Sequence, residues 1–329
     1  MNRRDLILAG ATLAACAPAA SVQTPAPFPM RRGVNLGNAL EAPNEGEWGY
    51  RIELEHLDTI AAAGFDGVRL PVRWDIHADS APPYAIEPDF LRRIDEIIEH
   101  ALELGLVIQL DLHHYERLIS EPERHRERFR GLWAQIARRY RRAPAGLVFE
   151  PFNEPNGDHW TGVRLRMLQA DVLAVIRRHS PERLVVLGGP NWSSIDGLNH
   201  WTAPADPHTA LSVHYYEPYE LTHHRAEWLE EPPEFARAWG SEADRQALAA
   251  RAEHAAQWAR AHGLSLQLGE FGINRSVSLS QRAAWTRAVR EAFEAKGAGW
   301  CVWDFAGAFP IWDRESGAFI PEMVDALLN

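Results

Sequence analysis

LVFEPFNEP, residues 147–155, is an apolar run that ends in polar residues, with Glu154 next to its end. LSLQLGEFG, residues 264–272, repeats the pattern and ends near Glu270. A buried strand that ends in a carboxylate is unfavourable unless that carboxylate faces a cleft. The two runs therefore predict two strands whose glutamates face one site.

Short apolar runs of this kind alternate with longer amphipathic segments from residue 33 onward. The predicted strands are 33–36, 67–70, 106–112, 147–152, 184–187, 210–213, 265–268 and 299–303. The predicted helices are 53–63, 90–104, 123–140, 162–179, 242–261, 280–295 and 321–328, with a weaker one within 193–201. Eight strand–helix units without a linker predict an α/β fold, a single (β/α)8 TIM barrel. A doubly wound open sheet is the competing fold, but no Gly-x-Gly-x-x-Gly follows the first strand.

Length and charge set limits on function. The chain has 329 residues and a net charge of −11, which argues against a nucleic-acid partner. Its 13 tryptophans are either packing residues or platforms for sugar rings, and a mixture is expected.

The N-terminus has the features of an export signal, predicted over residues 1–20. Arg3 and Arg4 precede a short apolar run, in partial resemblance to a twin-arginine signal. LAAC at residues 13–16 resembles a lipobox, so a lipid on Cys16 is expected to anchor a periplasmic or outer-membrane lipoprotein. An ordinary cleaved signal and a secreted protein are the alternative. Residues 21–30 are predicted as a Pro/Ala-rich tether, residues 31–329 as the catalytic domain, and Cys301 as a buried thiol.

Polar and aromatic residues follow most of the predicted strands. Because active sites of such barrels form at the carboxyl ends of the strands, these residues predict one rim. They are Asn35, Asn38, Arg69, His113, His114, Asn153, Glu154, His214, Tyr216, Glu270 and Trp303. Asp111 and Glu150 are rival carboxylates, and Glu150, four residues before Glu154, is expected deeper in the barrel in an ion pair. A metal is not expected, since His113 and His114 point to opposite faces of a strand.

Taken in order, these segments resemble glycoside hydrolase family 5, of the bacterial endo-β-1,4-glucanase type. The resemblance covers nearly all of residues 31–328. It is carried by RGVNLGN at 32–38, DGVRLP at 66–71, DLHHY at 111–115, FNEP at 152–155, VHYYEP at 213–218, GEFG at 269–272 and WDF at 303–305.

The resemblance implies a role for each matching residue. Glu154 is implied as the acid/base and Glu270 as the nucleophile, with Arg69 and Tyr216 keeping Glu270 anionic. Asn153 is implied to bind the sugar 2-hydroxyl, His113, His114 and His214 to line the site, and Trp303 to be the sugar platform, followed by a cis peptide bond. Asn35, Asn38 and Glu41 are implied to reach the cleft by analogy with related endoglucanases.

A pair of carboxylates facing one site is the chemistry of glycoside hydrolysis. We therefore expect retaining, endo-acting cleavage of a β-1,4-glucan, by a monomer that needs no cofactor. A mannanase or glucomannanase and a β-glucosidase acting on oligosaccharides are the alternatives. A non-catalytic carbohydrate-binding lipoprotein and a metal-dependent hydrolase using His113 or His114 are rivals from other classes.

Overall fold

A computed structural model describes residues 26–235 and 237–329, in which eight parallel strands close a barrel in chain order. The predicted signal and Cys16 lie outside the described residues. The strands are β1 (Arg32–Asn35), β2 (Gly67–Leu70), β3 (Val107–Asp111), β4 (Leu147–Glu150), β5 (Val185–Gly188), β6 (Thr209–His214), β7 (Ser265–Phe271) and β8 (Gly299–Val302). The predicted (β/α)8 barrel is confirmed, and each predicted strand overlaps an observed one.

Helices connect successive strands around the outside. They are α1 (Leu54–Ala63), α2 (Pro88–Glu103), α3 (Glu116–Ser120), α4 (Pro122–Arg139), α5 (Gly162–Arg177), α6 (Tyr219–Thr222), α7 (Glu242–Ala261), α8 (Leu279–Glu294) and α9 (Pro321–Leu328), with a 3₁₀ helix at Asp196–His200. Their ends follow local chemistry: Ser241 and Asp244 form a capping box on α7, and Gly64 ends α1 with φ 101°. Within the described ranges, no helix is both long and apolar enough to cross a bilayer.

The structure adds elements that periodicity did not reveal. These are the short helices α3 and α6 and a hairpin of β9 (Trp312–Asp313) and β10 (Ala318–Phe319). Strand β7 also runs to Phe271 instead of ending at Leu268, and its register with β8 shifts between these two residues. Glu270 therefore lies within an irregular strand end, where a bulge redirects side chains.

The amino end of the barrel is closed by the segment that precedes β1. Phe28 and Met30 are 1% and 0% exposed and pack against Cys301 and other apolar residues of the barrel floor. Met30 fits because β1 has glycine at its second position and β2 begins with glycine: a Cβ at Gly33 would lie 2.2 Å from Met30 Sδ. The predicted tether over residues 21–30 is therefore wrong at its carboxyl end, since Phe28 and Met30 belong to the barrel core. Cys301 is a buried free thiol, as predicted.

Candidate active site

Arg69 is the centre of the polar network inside the barrel. Its side chain is fully buried, and its guanidinium contacts three carboxylates from three other strands: it donates hydrogen bonds to Glu270 and Glu150 and forms an ion pair with Asp111. These contacts are to Glu270 at 2.7 Å, Asp111 at 2.7 Å and Glu150 at 2.6 and 3.1 Å. Because desolvated charges are stable only when paired and hydrogen-bonded, Arg69 and the carboxylates require one another.

Glu150 and Asp111 are the two buried carboxylates of this network that do not face the cleft. Glu150 is 1% exposed and accepts from Arg69 and from Gln109 Nε2 at 2.6 Å. Burial raises the pKa of Glu150, but the Arg69 charge and hydrogen bonds outweigh it and hold that pKa below its usual value. Asp111 forms an ion pair with Arg69 and accepts a hydrogen bond from the backbone N–H of Val72 at 3.1 Å. The predicted structural ion pair of Glu150 is confirmed.

Glu270 is held by three side chains from different strands or their extensions. Arg69 Nη1 donates to Oε1 at 2.7 Å, and the Tyr216 hydroxyl donates to Oε2 at 3.0 Å. His214 Nδ1 lies 3.7 Å from Oε2. The glutamate is 4% exposed, so both oxygens are fixed in position while one edge of the carboxylate stays open to the cleft.

Glu154 follows β4 and faces the same space. Its backbone has φ 45°, an uncommon conformation for a residue with a side chain, and its side chain is 26% exposed. Its Oε1 lies 2.8 Å from His214 Nδ1. One ligand atom each of Glu154, His214 and Glu270 lies within 4.8 Å of the other two, so a carboxylate oxygen of each glutamate is separated by no more than that distance.

Burial dominates the protonation of both glutamates. It raises the pKa of Glu154 to about 8, with further increases from the charges of Glu150 and Asp111 against a decrease from Arg69. It raises the pKa of Glu270 to about 7, where His214, Arg69 and the Tyr216 hydrogen bond oppose the increase. Glu154 therefore binds a proton more tightly than Glu270. Burial is the largest cause of the raised pKa of Glu154.

His113, His114 and Trp303 form the other wall. The His113 ring stacks on the Trp303 indole at 5.6 Å between centroids and 7° between planes, and it meets His114 edge-on at 4.6 Å. His113 Nδ1 lies 2.9 Å from Asp111 Oδ2, and Nε2 lies 3.3 Å from Asn153 Nδ2. The Trp303–Asp304 peptide bond is cis, as the resemblance implied. The half-buried Trp303 indole is therefore held in its orientation by the stacked His113 ring.

Asn153 precedes Glu154 and links two parts of the site. Its Oδ1 accepts from Arg69 Nη2 at 2.7 Å, while its amide group faces His113. With 7% of its surface exposed, it reaches the edge of the cleft. The predicted rim residues Arg69, Asn153, Tyr216 and Glu270 are thus joined by hydrogen bonds, and the hydrogen-bonded pair of Glu154 and His214 lies beside them, 3.7 Å from Glu270.

Asn35 and Arg69 do not reach the surface of the cleft as the rim prediction expected, although Arg69 does contact Glu270. Asn35 is 0% exposed; its amide donates to the carbonyls of Gly269, Cys301 and Val302, and its Oδ1 accepts from Arg69. Neither Asn35 nor Arg69 has surface left for a sugar, because every polar atom of each is used inside the barrel. Both residues position Glu270 instead of contacting substrate.

Asn38 and Glu41 form a buried support for the loop after β1. Glu41 is 1% exposed and accepts the backbone N–H groups of Asn38 and Ala39, and burial raises its pKa to about 8. The Asn38 amide donates to Asp304, which follows Trp303. Sequence reasoning missed Asp304 as a partner of Asn38, because the two are 266 residues apart. Asn38 thereby connects this loop to the segment that carries Trp303.

Three exposed tryptophans flank the glutamates. Trp48 is 43% exposed and meets His114 edge-on at 5.8 Å. Trp192 is 52% exposed, and its backbone N–H donates to the carbonyl of Pro155 at 3.2 Å, directly after Glu154. Trp228, 52% exposed, packs on Phe309, which in turn lies beside Tyr216. Broad apolar faces are thus available on more than one side of the glutamates.

The histidine pair that a metal-dependent reaction would use does not converge. Both nitrogens of His113 face protein partners, and His114 Nδ1 lies 3.9 Å from Glu116. In the part of the chain that the structure describes, the side chains spaced for a cation are Glu154, His214 and Glu270 themselves. A metal there would occupy the two glutamates that the hydrolysis hypothesis needs free.

Comparison with known proteins identifies the family. Residues 32–308 match the model of the cellulase family, glycosyl hydrolase family 5. The chain belongs to this family. Among relatives of family 5, Endoglucanase H of Acetivibrio thermocellus is 32% identical over 323 residues, which cover 95% of this chain and 35% of that protein. The chain thus spans about a third of the length of that relative.

Other family 5 relatives carry different names. Cellodextrinase A of Ruminococcus flavefaciens is 29% identical over 253 residues, 73% of this chain and 74% of that protein. Thermotoga maritima Cel5A in complex with cellobiose is 38% identical, with a TM-score of 0.89 over 91% of this chain and 98% of that one. A second structure of Cel5A, in complex with mannotriose, has the same identity, TM-score and coverage. The fold and the order of its elements are therefore those of family 5 endoglucanases.

Proposed function

We propose that this protein is a retaining, endo-acting glycoside hydrolase that cleaves β-1,4-glucan, with Glu270 as nucleophile and Glu154 as acid/base. The observation that carries the proposal is the spacing of the two glutamates, whose facing oxygens lie within 4.8 Å. Retaining enzymes keep their carboxyl groups ~5–5.5 Å apart, whereas inverting enzymes leave ~6.5–9.5 Å for a water molecule. An oxygen pair within 4.8 Å supports the closer, retaining arrangement.

The contacts of each glutamate favour the assigned roles. Glu270 faces a guanidinium and a phenol, both of which stabilise its anion, as a nucleophile requires. Glu154 has no contact of that kind with Arg69 and keeps the higher pKa, about 8, as an acid requires. The two environments separate the pKa values of the pair in the direction that the reaction needs.

The reaction then runs in two displacements. Glu270 attacks the anomeric carbon while Glu154 donates its proton to the departing glycosidic oxygen, which gives a glycosyl ester on Glu270. Glu154, now ionised, takes a proton from water, and the water oxygen attacks the anomeric carbon and releases Glu270. Each step inverts the anomeric centre, so the product keeps the β configuration.

His214 decides which oxygen of Glu154 carries the proton. Burial lowers the pKa of His214, which favours the neutral ring. If Nδ1 holds the ring proton, it donates to Glu154 Oε1 at 2.8 Å. The acidic proton of Glu154 is then on Oε2, which has no hydrogen-bond partner among the residues that the structure describes. This arrangement aims the proton away from the protein and toward the leaving group.

The substrate class follows from the walls of the cleft. Exposed tryptophans on several sides of the glutamates suit a substrate longer than one sugar, because each aromatic face stacks on one ring. A related structure of this family holds cellobiose, which favours glucan. Mannan is the second candidate, because Cel5A also holds mannotriose. Short oligosaccharides are the third, in line with the name cellodextrinase on one relative.

The first experiment measures reducing-sugar release from carboxymethylcellulose, barley β-glucan, glucomannan and galactomannan. We expect release from β-glucan by the wild type and none by Glu270→Ala. The anomer formed first is followed by proton NMR, and a β product is expected from retention. An α product, or equal activity of Glu270→Ala, would refute the assigned mechanism. Release of reducing sugar from galactomannan alone would show that the substrate is mannan and not glucan.

We propose further that the protein is exported and anchored through a lipid on Cys16. The basis is the sequence LAAC at residues 13–16, after an apolar run. Metabolic labelling with a fatty acid is expected to mark the wild type and not Cys16→Ala, and to place the labelled protein in the membrane fraction. Label on both variants, or on neither, would favour an ordinary cleaved signal and a secreted protein.

A further inference from the structure

A second cavity lies outside the cleft, between the loop after β2 and helices α3 and α4. It encloses about 400 Å³, a volume within the range of small-molecule sites. Its lining includes Arg117, Arg124, Arg128, His125, Tyr84 and Glu121. Three guanidinium groups thus face one carboxylate, in a chain whose net charge is −11. We call this the arginine cavity.

Arg128 gives the cavity a fixed positive charge. Its guanidinium donates to the backbone carbonyls of Asp75, Ala78 and Asp79 at 2.6–3.0 Å and to the hydroxyl of Tyr115 at 3.2 Å. These four acceptors are uncharged, and Arg128 forms no ion pair with any residue that the structure describes. The carboxylate of Asp75 lies beside Arg73 instead, at 3.7 Å. The charge of Arg128 is therefore oriented but not neutralised.

The other two arginines are available to a ligand. Arg117 forms no side-chain hydrogen bond or ion pair within residues 26–235 and 237–329. Arg124 pairs with Glu121 at 2.9 Å, but both side chains are exposed, so the pair contributes ~0–1 kcal/mol and exchanges readily. Arginine forks match planar oxyanions such as carboxylates and tetrahedral ones such as phosphates. The cavity therefore selects for negative charge.

Tyr115 connects this cavity to the cleft. It directly follows His114, is 1% exposed, and its hydroxyl contacts both Arg128 and His125 Nδ1, the latter at 2.9 Å. A ligand in the arginine cavity would thus lie behind the wall formed by His113 and His114. We propose that the arginine cavity binds the oxyanion of an acidic sugar, as a uronic acid carboxylate or a phosphate ester. That the ligand is a sugar rests on the proposed function.

The test is a calorimetric titration of the full chain at low ionic strength with glucuronate, glucose 6-phosphate, glucose and inorganic phosphate. We expect saturable binding of at least one acidic sugar, none of glucose, and roughly tenfold weaker binding to Arg124→Gln. Arg130→Gln is the matched control, because Arg130 forms an exposed pair with Glu127 on the same helix, at the same spacing. We expect that control to bind like the wild type.

Several results would overturn the proposal. These are equal responses to glucose and glucuronate, binding of inorganic phosphate alone, an affinity unchanged by Arg124→Gln, and the same loss in Arg130→Gln. Hydrolysis of neutral β-glucan is measured in parallel and is expected to be the same in both variants. An inactive wild type that still binds glucuronate would refute the proposed function and leave the acidic-sugar site standing. An active wild type that does not bind glucuronate would support the proposed function and refute the acidic-sugar site.

Discussion

The two ends of the barrel interior are built from the same strands but are stabilised in different ways. At the amino end, Met30 and Phe28 pack against Cys301 and small apolar side chains. At the carboxyl end, the space is occupied by Arg69 and three carboxylates that form ion pairs with it. The amino end is stabilised by shape and apolar burial, and the carboxyl end by charge balance. Substitutions at the two ends should therefore differ in their effects on activity and on stability.

The largest effect is expected from Glu270→Ala at the carboxyl end. Loss of the nucleophile should lower kcat by at least about 10⁴-fold without lowering the melting temperature, because a buried charge is removed with its partners still partly satisfied. Azide is expected to restore turnover of an aryl β-glycoside and give the α-glycosyl azide, since it attacks from the side that Glu270 occupied. Glu154→Ala with azide should give the β-glycosyl azide. If Glu270→Ala gave the β-glycosyl azide and Glu154→Ala the α-glycosyl azide, the roles of nucleophile and acid/base would be exchanged between the two glutamates.

Arg69→Met should damage both catalysis and folding. It leaves Asp111, Glu150 and Glu270 without their common counter-charge, which costs ~3–5 kcal/mol of unfolding free energy. Arg69 lowers the pKa of Glu150 in the folded state, so its stabilisation is present above the unfolded pKa and is lost as pH falls. The difference from wild type in unfolding free energy should therefore narrow below about pH 4. Chemical denaturation at pH 7 and about pH 3 measures this, and a constant difference would contradict it.

Met30→Ala should weaken the amino end while sparing the chemistry. Truncation of a fully buried methionine leaves a cavity and costs ~2–5 kcal/mol. Met167→Ala is the control, because Met167 is 56% exposed and its truncation should change stability by less than about 0.5 kcal/mol. Both variants should retain the wild-type kcat where they are folded. A lowered kcat in Met30→Ala would show that the two ends are coupled.

The smallest effect is expected from Tyr216→Phe, which removes one hydrogen bond to Glu270. The nucleophile must be ionised, so activity rises as pH passes the pKa of Glu270, about 7, and falls as pH passes that of Glu154, about 8. Without the phenol, the pKa of Glu270 should rise, so the acidic limb of kcat/KM should move upward by up to about one pH unit. Tyr215→Phe, a buried neighbour stacked on Trp285, should leave the profile unchanged. A shift of the basic limb instead would contradict this assignment.

The sequence was sufficient for the barrel because each strand and helix carries its own local signal. The eight apolar runs and the helical segments between them are each readable within a short stretch of sequence. It was also sufficient to bring Glu154, Glu270, Arg69 and Tyr216 to one rim, since parallel strands share a carboxyl end.

What sequence reasoning missed depends on contacts between distant segments. The burial of Asn35 follows from carbonyls on β7 and β8, and the pairing of Asn38 with Asp304 joins opposite ends of the chain. The hairpin of β9 and β10 has two-residue strands, too short for a periodic pattern. The arginine cavity combines a loop with two helices, none of which carries a recognisable motif.

Met30 fills the floor of the barrel. The described segment that leads into β1 therefore lies on the side opposite to Glu154 and Glu270. If an anchor holds the protein at a surface through that side, the catalytic face looks outward. A polymer too large to diffuse beneath the protein would then still reach both glutamates.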